Sequence, residues 1–471
     1  MTRPGPEPSG LTIPPGADVG AAPRWPLVDC YDRLPTIIAH LVPSMAAVPD
    51  AARFNPGYEL PPLDEKIREF LGAGVAYWRR LADYRGHRVF LLDLMGNPAT
   101  NTVKTFGSLL IVARIVEFIR RTGEPVTILT PTSGNKGVAL RDAVYRAISG
   151  GLVEPGQLQV ILLVPAASAC KLRHGPLSAE PRLHALNPVL EYRGPADETV
   201  KTLASRFVSE HAADFRAAHG SYLFPSHNLT NYAVADALRA FVEQDACPAT
   251  AATSRLHAQA VSSAFGLLGY SHGRDVLEAH GEASPAHRPG LLLVQHLGAP
   301  DLVAQLRYGT FDRSALPWYR HEPDTGRYRQ DTSPHFPFVT DDPAEELDPT
   351  FYTRQPATSG DVVGLVRRHN GTGIVVSRHE CEQRYHWLRD WVNGCSAKLP
   401  DNPATLREWS LAMVLTGVLN ATDRGLVAEG QEIVVHGTGC YSAADFTALP
   451  AAATIRVSGY ADLARELLPG G

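Results

Sequence analysis

Cysteine is scarce in this sequence, and its cysteines lie far apart. Only six occur among 471 residues, and none form a CxxC pair. This spacing excludes a disulfide-stapled scaffold and predicts reduced thiols. Long apolar runs are also missing: none approaches the roughly 18 residues that a membrane helix needs. The first 20 residues lack the apolar segment of a secretory signal. We therefore predict a cytoplasmic protein with no membrane partner.

Neither sign of charge dominates the chain. The formal net charge is −5, and lysine and arginine are scattered without a basic patch. Nucleic acid is therefore not an expected partner. Hydrophobic residues make up 44% and charged residues 20% of the chain, which is ordinary for a globular protein. The length predicts about two or three structural units.

The N-terminal part of the chain differs in composition from the rest. Residues 1–27 are rich in proline and glycine and are predicted to form a disordered tail. Residues 28–87 are predicted to form a helical extension, in which Leu63–Tyr84 carries apolar residues at helical spacing.

From residue 88 onwards, short apolar runs alternate with helical stretches. The predicted strands are Arg88–Met95, Pro125–Pro131, Leu158–Pro165, Pro188–Gly194, Leu256–Val261, Gly290–Leu297 and Glu432–Thr438. The predicted helices are Thr105–Arg121, Gly137–Ile148, Ala196–His211, Asn231–Gln244 and Thr405–Thr422. Continuous apolar strands between helices indicate an α/β fold, with mostly parallel, twisted sheets and helices on both faces.

We assign residues 88–450 to the main domain and residues 451–471 to a C-terminal segment. Within the main domain, a smaller lobe is expected at about residues 100–220. The polar stretch at about 308–358 is predicted to be a long insertion or a loop that covers the substrate.

A Thr-Ser-Gly-Asn turn joins a predicted strand to a predicted helix in TPTSGNKGVAL (Thr130–Leu140). Such a turn presents backbone N–H groups and hydroxyls to an anion at a helix N-terminus, and a substrate carboxylate suits it. The alternative is a plain helix cap, because serine and asparagine commonly cap helices. This motif alone leaves both interpretations open.

A lysine begins a predicted long helix in DLMGNPATNTVKTFGSLL (Asp93–Leu110), after a strand that ends in Gly-Asn-Pro. Partial burial and the helix N-terminus both lower the pKa of such a lysine, Lys104. They favour the neutral amine that forms a Schiff base. The alternative is an ordinary solvated lysine at a helix start.

Together, the two motifs resemble the fold type II superfamily of tryptophan synthase β, cysteine synthase and threonine synthase. VFLLDLMGNPATNTVK is similar to the family segment whose lysine binds pyridoxal 5′-phosphate (PLP) as a Schiff base. The resemblance implies that Lys104 is the catalytic and PLP-binding lysine. PTSGNKG is similar to the family loop that grips the substrate carboxylate and places an Asn beside the cofactor 3′-hydroxyl. It implies a substrate-binding loop of Thr132, Ser133, Gly134 and Asn135.

Later segments resemble the family in the same order. AVSSAFGLLGY (Ala260–Tyr270) stands where the family binds the cofactor phosphate. EGQEIVVHGTGCYS (Glu429–Ser442) resembles the final strand, which brings a Ser or Thr to the pyridine nitrogen. The cofactor-binding residues implied by these segments are Ser262, Ser263, Ala264, Phe265, Gly266 and Thr438.

The chain also departs from the family pattern. Thr105 and Phe106 follow the lysine in place of Asp-Arg, Pro225 replaces a Gln, and the phosphate loop has few glycines. Fewer glycines leave less room for close backbone approach. These departures indicate a divergent branch, which we expect to act in specialised metabolism.

The resemblance implies two lobes with PLP in the cleft between them, an amino-acid substrate and a homodimer. The implied reaction is β-elimination or β-replacement on an amino acid that carries a leaving group. A γ-replacement or dehydratase of threonine-synthase type stays open, as does an inactive PLP-fold protein that only binds. No metal site is predicted, because the spacing of His379 and His386 fits no standard zinc pattern.

Overall fold

A computed structural model describes most of the chain, namely residues 21–195, 199–226, 230–252, 254–348, 351, 353–396 and 398–468. Most of the predicted disordered tail lies outside the described residues, and so does the start of the helix predicted at 196–211. Within the described part, none of the helices is long and apolar enough to span a bilayer.

Helices pack against the strands of the two main sheets. In chain order they are α1 (Pro26–Asp29), α2 (Leu34–Leu41), α3 (Glu65–Leu71), α4 (Lys104–Thr122), α5 (Asn135–Ser149), α6 (Pro176–Ala179), α7 (Pro181–Leu186), α8 (Val200–His219), α9 (Thr230–Ala246), α10 (Phe265–Ala279), α11 (Asp301–Tyr308), α12 (Ser359–Arg368), α13 (Arg378–Trp391), α14 (Ser410–Asp423) and α15 (Tyr460–Leu467).

The strands are short and mostly buried. In chain order they are β1 (Tyr77–Arg80), β2 (Val89–Asp93), β3 (Val126–Pro131), β4 (Leu158–Pro165), β5 (Val189–Tyr192), β6 (Tyr222–Pro225), β7 (Arg255–Ala260), β8 (Gly290–His296), β9 (Arg320–Glu322), β10 (Arg327–Arg329), β11 (Val339–Thr340), β12 (Thr372–Val376), β13 (Leu406–Glu408), β14 (Glu432–Gly437), β15 (Tyr441–Ser442) and β16 (Ile455–Val457).

The larger sheet has the strand order β1-β2-β14-β7-β8-β12. Its strands are parallel except for β1, which runs antiparallel to β2 at one edge. Every residue of β2, β7, β8 and β14 is buried. This burial explains their continuous apolar runs, since helices cover both faces of a parallel sheet.

The second sheet has the order β16-β5-β4-β3-β6 and is parallel throughout. Each strand predicted from the sequence overlaps a strand of one of the two sheets. Helix α4 packs against α5, which follows a strand of the second sheet, and against α9. Because α4 follows β2 of the larger sheet, it lies where the two sheets meet.

Two sequence predictions of helices are wrong in part. The helix predicted over Leu63–Tyr84 ends at Leu71, and Tyr77–Arg80 forms the edge strand β1. Gly72 and Gly74 weaken the helix after Leu71, and pairing with β2 places Trp78 against Phe90. The extension over 28–87 is therefore not purely helical.

The helix predicted over Thr405–Thr422 begins only at Ser410. Residues Leu406–Glu408 pair with β15 instead, so tertiary pairing replaces the first helical turn. The polar stretch at 308–358 contains the small antiparallel sheet of β9, β10 and β11.

Candidate active site

A cavity of about 370 Å³ opens at the carboxyl ends of β3, β7 and β14. These strands belong to different sheets, so the cavity lies between the two sheets, where ligands of open α/β sheets bind. Every site residue predicted from the sequence lines this cavity, with the exception of Gly134.

Lys104 is the first residue of α4, and the end of β14 fixes its position. The backbone N–H of Val103 donates to the carbonyl of Thr438 at 2.9 Å, and Thr102 forms a bridge with Gly439. The Lys104 amine lies 5.3 Å from the centre of the Tyr232 ring. Burial lowers the pKa of Lys104, and the nearby carboxylate of Asp236 opposes this shift only in part. A lowered pKa favours the neutral, nucleophilic amine.

The Gly-Asn-Pro turn before Lys104 is held by a buried polar cluster. Asn97 donates through Nδ2 to Asp142 of α5 at 2.9 Å, and its Oδ1 accepts from the N–H of Ala99 at 3.0 Å. Thr100 and Thr105 share a hydroxyl–hydroxyl contact of 2.6 Å. These bonds connect the lysine segment of one sheet to a helix of the other.

The Thr-Ser-Gly-Asn turn is held by the hydroxyl of Thr132. This oxygen accepts from the N–H groups of Gly134 at 3.1 Å and Gly137 at 3.0 Å. Gly134 has a φ of 120°, which favours glycine, and a Cβ there would lie 2.9 Å from the Lys171 side chain. Ser133 stays partly exposed in the cavity wall. Ser133 directly precedes Gly134, the N-cap residue of α5, and the first N–H groups of a helix lack intrahelical partners.

Asn135 is held from both ends of its side-chain amide. Its Nδ2 donates to Glu408, and its Oδ1 accepts from the Tyr441 hydroxyl at 2.5 Å. Glu408 is also 3.5 Å from the Lys171 amine, which pairs with Asp348 at 2.8 Å. These hydrogen bonds and ion pairs connect the loop after β3 to strands β13 and β15.

Lys136 brings a second lysine into the cavity wall. Burial lowers the pKa of its amine to about 7, and the positive charges of Lys104 and Lys201 add to the shift. Near neutral pH this amine therefore exists in both protonation states.

The loop after β7 is held by the C-terminal end of the polar stretch at 308–358. The Ser262 hydroxyl donates to Thr353 Oγ1 at 2.7 Å, and the Ser263 carbonyl accepts from the Thr358 hydroxyl at 2.6 Å. Ala264 has a φ of 57°, in the left-handed region. It precedes α10 without a side-chain cap, so the first N–H groups of α10 remain available to an anion.

The structure adds cavity residues that the sequence motifs do not indicate, among them Thr102, Tyr232, Asp236, Arg239 and Glu408. Asp236 and Arg239 lie in the middle of α9, and no local sequence feature marks one face of this helix as the cavity side. Glu408 falls in the part of the chain predicted to be helical.

The chemistry of the wall fits PLP. It offers a lysine amine at a helix start and an uncapped helix N-terminus suited to a phosphate. Thr102 Oγ1 and Arg239 Nε are buried and have no hydrogen-bond partner among the described residues. A polar ligand would satisfy such atoms, since buried polar groups are seldom left unpaired.

Two solved structures with a similar fold are threonine synthases. The one from Escherichia coli is 15% identical to this chain, with a TM-score of 0.50 over 82% of this chain and 79% of its own. The one from yeast is 12% identical, with a TM-score of 0.52 over 90% of this chain and 94% of its own. At these identities the likeness concerns the fold, and it confirms the predicted α/β class.

The sequence itself matches a protein family. No curated protein sequence is similar to it. Residues 23–469 match a family described as "Family of unknown function (DUF6002)". Since this match spans nearly the whole chain, the chain belongs to that family.

Proposed function

We propose that the protein is a PLP-dependent enzyme that carries out β-elimination or β-replacement on an amino acid. When bound, PLP supplies the electron sink for charge that develops at the substrate Cα. One observation carries the proposal: Lys104, Ser133 and the uncapped start of α10 line the same cavity.

Lys104 would carry the cofactor and move the substrate proton. Its Nζ lies at the start of α4, and burial lowers its pKa, so more of the amine is neutral near pH 7. A neutral amine in this position accepts a proton from the substrate Cα. The Tyr232 ring lies beside this amine, and both residues line the cavity.

Ser133 and the first N–H groups of α5 would bind the substrate carboxylate. The Thr132 hydroxyl is occupied by backbone donors, whereas Ser133 is partly exposed and lines the cavity. Lys136 adds positive charge to the same wall while it is protonated. This arrangement orients the amino acid by its carboxylate.

Thr438 would face the pyridine ring. It follows β14, lines the cavity and is fixed through its carbonyl to Val103. A hydroxyl, unlike a carboxylate, leaves a ring nitrogen unprotonated. That electronic state favours departure of a leaving group from Cβ, in keeping with the proposed reaction.

Covalent labelling tests the cofactor assignment. Purified protein is incubated with PLP and reduced with borohydride, and the modified peptide is identified by mass spectrometry. We expect the label on Lys104 in the wild-type protein and in Lys136→Arg, and its loss in Lys104→Arg. Lys136→Arg is the matched control, because Lys136 lines the same cavity. A label on Lys136, or none, would overturn the proposal.

Substrate assays test the reaction. Amino acids with a leaving group on Cβ should yield a keto acid, or a replacement product when a thiol is added. Turnover restricted to substrates with a leaving group on Cγ would instead indicate a reaction of threonine-synthase type. A Lys104 label without turnover of either class would indicate a protein that only binds PLP.

A further inference from the structure

Arg239 of α9 lies directly beneath the start of α10. A Cβ on Gly266, the second residue of α10, would lie 2.7 Å from Arg239 Nη2 and 2.7 Å from Gln259 Oε1. Arg239 is buried yet lines the cavity together with Gly266 and the preceding loop. The guanidinium thus stands beside the N–H groups that begin α10.

Three glycines of α10 allow this close approach. Gly266, Gly269 and Gly273 lie on the face that meets α9, where a Cβ on Gly269 would lie 2.4 Å from Asp236 Cβ. A Cβ on Gly273 would lie 2.1 Å from the carbonyl oxygen of Ala237. The glycines that follow β7 therefore lie within α10 itself. They let α9 approach closely, and this places Arg239 beside the loop that precedes α10.

The partners of Arg239 orient it and leave donors for a ligand. Nη1 donates to Gln259 Oε1 at 2.7 Å and to His436 Nδ1 at 2.9 Å, and Nη2 donates to Asp236. Nε is buried and has no partner among the described residues. A guanidinium only donates hydrogen bonds, so an anion acceptor suits the remaining N–H groups.

A buried chain of hydrogen bonds also holds Arg239. Because His436 Nδ1 accepts from Arg239, its Nε2 carries the proton and donates to His257 Nδ1 at 2.8 Å. His257 Nε2 then donates to Glu243 Oε1 at 3.1 Å. Burial lowers the pKa of both histidines, so they stay neutral. The chain fixes the orientation of the guanidinium.

We propose that Arg239 binds the phosphate of PLP, together with the first N–H groups of α10. The proposal rests on the function proposed above and names the cation of its phosphate site. A loop with few glycines offers a phosphate fewer close backbone donors, and a guanidinium supplies donors in a geometry that matches phosphate oxygens. Arg239 thereby replaces contacts that a run of glycines would provide.

Binding constants for two ligands test this role without any assay of turnover. Protein freed of cofactor is titrated with PLP and with pyridoxal, which lacks the phosphate. In Arg239→Met, we expect PLP to bind roughly 10- to 100-fold more weakly, in line with the loss of hydrogen bonds to a charged group. Pyridoxal affinity should not change. Arg239→Lys should recover part of the PLP affinity, because lysine restores the positive charge but lacks the planar set of N–H donors of a guanidinium.

Two further measurements separate phosphate binding from a structural role. Inorganic phosphate should raise the thermal unfolding midpoint of the wild-type protein but not of Arg239→Met. The double variant Asp236→Asn with Arg239→Met removes the carboxylate left unpaired by the single change. We expect the double variant to bind PLP as weakly as Arg239→Met does and to bind pyridoxal normally. Recovery of PLP affinity in the double variant would overturn the proposal.

Other outcomes are equally decisive. Equal losses of PLP and pyridoxal affinity in Arg239→Met would overturn the proposal, and so would unchanged PLP affinity. If the wild-type protein bound neither ligand, the proposed function would fail together with this inference. Normal Lys104 labelling with an unaltered PLP constant in Arg239→Met would refute the role of Arg239 alone.

Discussion

Arg255 donates from Nη1 to Oε1 of Glu243 at 2.7 Å, and both side chains are buried. Glu243 also accepts from the Tyr270 hydroxyl at 2.5 Å and from His257. Burial alone would raise the pKa of Glu243, but His257 and Arg255 outweigh it and bring the pKa to about 2. The carboxylate is therefore ionised across the physiological pH range.

Glu243→Ala should destabilise the fold by about 3–5 kcal/mol, because it leaves the Arg255 charge buried with fewer partners. The matched control is Glu282→Ala, which breaks a partly exposed pair with Arg33 and should cost about 0–1 kcal/mol. Denaturant unfolding measures both free energies. Equal costs for the two variants would contradict the idea that burial makes the Glu243 pair critical.

The close packing of α9 against α10 leads to a second prediction about stability. Gly273→Ala adds a methyl group that would lie 2.1 Å from the Ala237 carbonyl oxygen, so α9 must shift. We expect a loss of about 1–3 kcal/mol in unfolding free energy. Gly364→Ala in the exposed face of α12 meets nothing within 4 Å and should gain about 0.5–1 kcal/mol. A stabilising Gly273→Ala would show that the two helices are not closely packed.

Ser133→Ala should weaken amino-acid binding and leave PLP binding unchanged. The lost hydrogen bond to a carboxylate costs about 1.5–3 kcal/mol, which is roughly 10- to 150-fold in the dissociation constant. Spectral titration of the PLP-loaded protein measures the amino-acid constant, and titration of the cofactor-free protein measures the PLP constant. If the variant bound amino acids normally, the turn would serve only as the cap of α5.

The lowered pKa of the Lys136 amine predicts that the stability of the cofactor-free protein depends on pH. Its pKa falls from 10.5 in the reference state to about 7 in the fold. Between these values the unfolded chain binds the proton that the folded chain releases, so stability rises with pH across this window. Below about pH 7 the Lys136 amine is charged in both states, so the charge lowers the free energy of unfolding by its full amount.

Lys136→Met should therefore stabilise the protein most below pH 7, and the gain should fade as the pH approaches 10.5. Unfolding free energies of both proteins, measured on either side of this window, check the trend. The same gain at every pH would mean that the amine is solvated in the folded chain.

Local sequence was enough to predict part of the lining of the candidate site, because some of these residues lie where a strand is followed by a helix. Lys104 and Ser133 both stand at such junctions, and apolar strands before them fix the junctions in the sequence. Arg239 gives no such signal, since its position depends on the packing of α9 on α10. Glu408 was missed for a related reason: its strand exists only through pairing with β15, which lies far along the chain.

Strand β16 has a consequence for self-association. It pairs with β5 at the edge of the second sheet, and its three residues include the exposed Ile455 and Arg456. A short edge strand that carries a charge is a poor template for pairing with another chain. If proteolytic cleavage ahead of Ile455 released the C-terminal segment, the buried strand β5 would become the new edge of the sheet. Clipped protein should then aggregate through β5, even though the cavity between the two sheets is untouched.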